Sequence, residues 1–177
     1  MNMDHNDHVR LLRPGIERPG GVWADLGSGR GAFTLALADL IGRDGKIFSI
    51  DRDRRALEAQ KQAMQARFPT TDVEYIQADF RKTLELPPLD GVVMANSLHF
   101  QRRQESVVSQ VRTYLKSGGR FLIVEYNIER RNPAVPHPVP FTTWVKLAKR
   151  QGFLRTWLLA TRPSSFLKEI YSACSEL

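Results

Sequence analysis

The chain has 177 residues, a formal net charge of +7 and 42% hydrophobic residues, enough apolar material for one sizeable core in a single domain, residues 1–177. No apolar run approaches the ~20 residues a helix needs to cross a membrane, and the opening MNMDHNDHVR has no secretory signal pattern. Cys174 is the only cysteine, so no intramolecular disulfide can form and a cytoplasmic protein is expected.

Residues 1–20 are polar and broken by Pro14 and Pro19, which leaves a short lead-in helix around Val9–Arg13. His5 and His8 have a spacing that could ligate a metal, but no further His or Cys stands nearby. A frayed terminus and no metal site are expected. Gly21–Thr34 (GVWADLGSGRGAFT) then organises the rest. Val22–Leu26 reads as a buried strand, Gly27, Gly29 and Gly31 as a turn, and Gly31–Ile41 as a helix with apolar periodicity. Glycine at alternate positions between a strand and a helix allows positive φ and lets a ligand lie against the backbone. In an open α/β sheet this is where nucleotides bind.

Further strands are expected at Lys46–Ile50, Val73–Gln77, Gly91–Ala95 and Arg120–Glu125. Helices are expected at Arg54–Phe68, capped by Asp53, and at Glu105–Leu115, ended by Gly118–Gly119. The alternation implies a parallel sheet with right-handed crossovers. Residues 127–141 hold Pro133, Pro136, Pro138 and Pro140 and read as an extended loop over the carboxyl edge of the sheet. A helix at Thr142–Gln151 follows. Two last strands, Thr156–Ala160 and Ile170–Cys174, have no helix between them and so make an antiparallel hairpin.

Two cofactor classes use such a glycine turn. Gly27, Gly29 and Ala32, with Asp51 further on, meet the G-x-G-x-x-G/A dinucleotide fingerprint. The segment Asp25-Leu26-Gly27-Ser28-Gly29-Arg30-Gly31 more closely resembles the first motif of class I S-adenosylmethionine-dependent methyltransferases: a strand ending in Asp or Glu, one residue, then G-x-G-x-G. The carboxylate suits only one of the two cofactors. S-adenosylmethionine carries an ammonium and a sulfonium, whereas Asp25 would repel a pyrophosphate. No Y-x-x-x-K pair of a dehydrogenase occurs.

The resemblance spans about residues 20–174 and is strongest at Val22–Thr34. It implies a Rossmann-like class I methyltransferase fold, a seven-stranded mostly parallel sheet with a C-terminal antiparallel hairpin whose last strand inserts beside the fifth. It also implies a cofactor, S-adenosyl-L-methionine, with S-adenosyl-L-homocysteine as product. By position, Asp25, Gly27, Ser28, Gly29 and Gly31 would cradle that cofactor, Asp51 with Arg52 beside it would hold the ribose hydroxyls, and Asp79 with Phe80 the adenine. Asn96, after the fourth strand, would face the departing methyl.

The segment Asn96–Phe100 (NSLHF) is not the N/D-P-P-F/Y motif of enzymes that methylate base amines. It is more similar to the corresponding segment of quinone-biosynthesis C-methyltransferases, which implies a small-molecule acceptor. His99 has two readings, a general base or a histidine that packs under the cleft or faces solvent. Glu125, Tyr126, His137 and Phe141 are candidates for the acceptor side, with Phe141 and Val139 covering the acceptor as part of a mobile wall. The net charge allows an RNA or protein acceptor instead. The basic residues, however, are scattered as pairs such as Arg54–Arg55, Arg102–Arg103 and Arg130–Arg131, which favours a solvated surface over nucleic acid. A catalytically inactive cofactor-binding subunit is the third reading. No membrane span is expected, and nothing in the sequence bears on oligomeric state.

Overall fold

The structure, a computed structural model, describes residues 3–177. Seven strands form one sheet: β1 (Gly21–Leu26), β2 (Gly45–Asp51), β3 (Asp72–Gln77), β4 (Leu89–Ala95), β5 (Leu115–Tyr126), β6 (Arg155–Ser164) and β7 (Lys168–Glu176). Their order is β3-β2-β1-β4-β5-β7-β6. The first five pair in parallel, and β7 lies antiparallel between β5 and β6. This is the class I methyltransferase order expected from the chain, including the insertion of the last strand beside the fifth.

Side chains alternate across the sheet, so neighbours in a strand feed opposite cores. Trp23, Ile47, Val93 and Leu122 pack on one face with α1 (His5–Leu12), α2 (Ala32–Ile41) and Met64 of α3 (Arg54–Arg67). Ala24, Phe48, Val92 and Phe121 pack on the other with α4 (Gln104–Tyr114) and α5 (Phe141–Arg150). Both faces are covered, which is why the central strands read as continuous apolar runs.

Four local expectations need correction. The lead-in helix starts at His5 and not at Val9, because Asp4 and Asp7 cap it reciprocally: Asp4 Oδ1 accepts from the Asp7 N–H at 2.9 Å and Asp7 Oδ2 from the Asp4 N–H at 2.8 Å. The helix is docked through buried Val9, Leu11 and Leu12, not frayed, and its histidines pack singly, His5 near Phe68 and His8 against Phe33. The fourth helix ends at Tyr114, where the chain turns extended at Leu115; Gly118 and Gly119 therefore lie inside β5. Finally, Phe141 is not in the proline-rich loop but is the first residue of α5, with Pro140 as its cap. Among the described residues no helix is long and apolar enough to cross a membrane.

Candidate active site

The carboxyl ends of β1, β2, β3 and β4 surround a cleft of ≈ 650 Å³. Of the residues expected to hold a cofactor, Gly27, Gly29, Asp51, Arg52, Asp79, Phe80 and Asn96 line it. Asp25, Ser28 and Gly31 do not; they stand behind the turn and shape it.

Three glycines do three different jobs here. A Cβ at Gly27 would sit 2.7 Å from Ser97 Cβ and 3.1 Å from Phe80, so its absence lets the turn close onto the segment after β4. Gly31 has φ +87° and leaves room for Gln60, whose Cγ would lie 2.3 Å from a Cβ. Gly29 has φ +54° with nothing within 4 Å of where a Cβ would stand, open to the cleft. Its N–H donates to Asp51 Oδ2 at 2.8 Å, while Asp51 Oδ1 accepts from the Asp53 N–H at 2.8 Å. One carboxylate thus fastens the glycine turn to the start of α3, which Asp53 caps through the Arg55 and Ala56 N–H groups.

Under the turn lies a buried polar layer. Ser49 Oγ is 2.8 Å from Ser28 Oγ and 3.0 Å from Gln60 Oε1, so the Ser28 side chain points into the fold and away from the cleft. Asp25 accepts from the Thr34 hydroxyl at 2.6 Å and is 1% exposed. Burial pushes its carboxyl up to about 7, against the Thr34 hydrogen bond and helped by the nearby Asp51 charge.

Asp79 is clamped by Arg81, which donates Nε to Oδ1 and Oδ2 at 2.9 Å each and its backbone N–H to Oδ1 at 3.0 Å. These bonds hold its carboxyl down at about 2. Arg81 was not anticipated, although its position two residues after Asp79 is the one available signal. Asn96 has φ +50°, one of two positive-φ residues other than glycine among the described residues. Its N–H donates to the Val124 carbonyl at 2.8 Å, and its Oδ1 is buried without a partner among the described residues. Strain and an orphaned acceptor at a cleft wall point to a ligand group that donates there.

The structure brings His99 and Glu125 together. His99 Nδ1 lies 2.5 Å from Glu125 Oε2, and Glu125 Oε1 accepts the N–H groups of Leu98 and His99 at 3.1 and 3.2 Å. They are 2% and 0% exposed, so they form a buried pair that fixes the segment after β4 to the end of β5. The His99 carbonyl accepts from the His137 N–H at 3.0 Å, and Gln104 Nε2 donates to the His137 carbonyl at 2.8 Å. His137 therefore braces the back of the pair. Val139 is fully buried in the core, its carbonyl bonded by the Tyr171 hydroxyl at 2.6 Å, so it does not cover an acceptor as expected. Phe141 packs on Tyr171, with ring centroids 5.8 Å apart, and is half-buried. The end of the loop and the start of α5 are anchored.

A family model described as a methyltransferase domain matches residues 18–158. The chain belongs to the methyltransferase domain family. It is 27% identical over 127 residues to a probable cobalt-precorrin-6B C(15)-methyltransferase (decarboxylating) of Thermoplasma volcanium, covering 72% of this chain and 61% of that protein. It is 29% identical over 112 residues to the ubiquinone/menaquinone biosynthesis C-methyltransferase UbiE of Azotobacter vinelandii, covering 62% of this chain and 44% of that one. The chain thus spans about half to three fifths of the length of these curated relatives. The YcgJ protein of Bacillus subtilis superposes with a TM-score of 0.74 at 15% identity, over 97% of this chain and 98% of that one. S-adenosylmethionine is the cofactor of this methyltransferase class. The cleft has room and polar groups for it: nothing stands within 4 Å of where a Cβ on Gly29 would be, the Asp51 carboxylate lines the wall, and the Asn96 Oδ1 has no partner among the described residues.

Proposed function

We propose that this chain is a methyltransferase that moves a methyl group from S-adenosylmethionine to a small-molecule acceptor in the cytoplasm. The observation that carries the reading is the pairing, in one cleft, of the unfilled space at Gly29 with the orphaned Asn96 Oδ1. When bound, the cofactor supplies an electrophilic methyl on a sulfonium, which leaves as neutral S-adenosylhomocysteine. The chain's own residues bind and align it. Asp51 accepts from the ribose diol, Asp79 accepts from the adenine amino group beside the Phe80 ring, and Asn96 accepts from the methionine end.

The reaction asks for alignment and exclusion of water more than for acid–base work. Where the acceptor must lose a proton, His99 is the group to take it. Glu125 holds its Nδ1–H, which leaves Nε2 as the basic nitrogen, and Nε2 makes no hydrogen bond among the described residues. Calorimetric titration with S-adenosylmethionine, S-adenosylhomocysteine and NAD tests the reading. Binding of the first two and not of NAD is expected, with Asp51→Ala weakening both by ~1.5–3 kcal/mol, the range for a hydrogen bond to a charged group. Unchanged affinity in Asp51→Ala would remove the ribose assignment.

A further inference from the structure

A second cleft of ≈ 750 Å³ lies between the loop after β5 and the tip of the β6–β7 hairpin. A chain of ring contacts joins it to the first. Phe100, which lines the first cleft, lies 4.2 Å from the His99 ring; His99 is 6.2 Å from Tyr126; and Tyr126 packs edge-on, at 5.8 Å, against Phe166, which lines the second. Phe100 and Phe166 are 58% and 60% exposed, so each end of the chain presents an aromatic face to solvent at a cleft. Aromatic side chains lining a concave surface, with a few charged groups at its rim, are the usual makeup of a small-molecule site.

The charge lining the second cleft is mostly basic, with Glu169 just behind it, held by the Asn127 side chain at 2.7 Å. Arg130, Arg131 and Lys168 line it against a single acid, Glu129, and none of the three cations makes an ion pair among the described residues. Lys168 also holds φ +63°, and with Asn96 it makes the only two positive-φ residues other than glycine among the described residues. One lies in each cleft. Held strain of this kind gathers where a ligand is clamped.

We infer that the second cleft is the acceptor site and that the acceptor is a flat apolar molecule bearing a carboxylate. This rests on the methyltransferase reading above. The apolar body lies against Phe166 and Tyr126, and the carboxylate meets Arg130, Arg131 and Lys168 at the rim. The end of the molecule to be methylated then points toward the exposed Phe100 ring, Asn96 and the first cleft. Arginine suits the rim because its planar fork matches a carboxylate in two-point contact.

The test uses 2-naphthoate, its neutral analogue 2-naphthalenemethanol and S-adenosylhomocysteine, each titrated into the full chain. Naphthoate should saturate at millimolar concentration and bind more tightly than the alcohol. Replacing both rim arginines (Arg130→Ala with Arg131→Ala) should weaken naphthoate roughly fivefold, as two exposed charge contacts allow, and leave the alcohol unchanged. Phe166→Ala should weaken both. Equal binding of acid and alcohol, no saturable binding, or an unaffected arginine variant would each overturn the inference. Because these residues are exposed, the variants keep the fold, and unaltered S-adenosylhomocysteine binding verifies it. Should naphthoate behave as expected while S-adenosylhomocysteine fails to bind even the unmodified chain, the methyltransferase reading fails and the anion site stands.

Discussion

The two clefts are built by opposite means. The first is made of backbone: strand ends, a glycine turn, and a few acids whose main task is to hold N–H groups in place. The second is made of side chains projecting from a loop and a hairpin tip. A backbone-built site tolerates few substitutions, because its glycines answer a steric demand, as at Gly31, where a Cβ would stand 2.3 Å from Gln60 Cγ, or a left-handed backbone, as at Gly29. A side-chain-built site can change with every residue while the loop keeps its course. A methyltransferase can thus keep one way of holding its cofactor and vary its acceptor freely.

The contrast breaks if residues under the first cleft prove indifferent. The largest expected effect is at Asp25. An acid whose folded value lies near 7 against an ordinary 3.8 costs nothing below about pH 4 and progressively destabilises the fold as pH rises through 7. The gap of about three pH units corresponds to at most ~4 kcal/mol. Denaturant unfolding at pH 4, 6 and 8 should show Asp25→Asn gaining on the unmodified chain at each step. A constant difference across that range would mean that Asp25 keeps an ordinary carboxyl.

Next comes Glu125, at the junction of the two clefts. Its removal in Glu125→Ala leaves the His99 ring and two backbone N–H groups without their acceptor, at a cost of ~3 kcal/mol in unfolding free energy. A loss below ~1 kcal/mol would show that water replaces the carboxylate and that the junction is loose.

The smallest effects sharpen the contrast inside the turn itself. Gly31→Ala should destabilise by ~2–3 kcal/mol, from crowding against Gln60 and a left-handed backbone. Gly29→Ala meets no neighbour and should cost only ~1 kcal/mol of backbone strain, yet weaken S-adenosylhomocysteine binding. Thermal unfolding and calorimetry on the same pair separate the two roles. Equal losses of stability would show that the glycines are interchangeable.

Much of the first cleft was legible in the sequence for the same reason that it is rigid. Alternating glycines after Val22–Leu26 and an acid closing β2 are local patterns with a short list of physical causes. The closing hairpin was legible too, since two apolar runs had no helix between them. What stayed hidden depends on pairs distant in the chain. Glu125 lies 26 residues from His99, and Gln60 lies 29 residues beyond the glycine it crowds. The reach of α1 was missed because its cap, Asp4 with Asp7, lies in a stretch too polar for periodicity to register. Ser28 and Gly31 matched the motif and were read as ligand-facing, when their partners lie behind the turn.

The position of β7 has a consequence for how the molecule comes together. It follows every other strand in the chain, yet it sits between β5 and β6 and pairs along both of its edges. During synthesis β6 emerges first without its native partner, because its one neighbour in the sheet has not yet been made. The parallel half, with its glycine turn, can assemble from contacts already available. The half that carries Phe166 and Lys168 must wait for the closing hairpin. Ribosome-stalled chains ending before Lys168 should therefore protect the amides of β1 and β4 from exchange while those of β6 remain open.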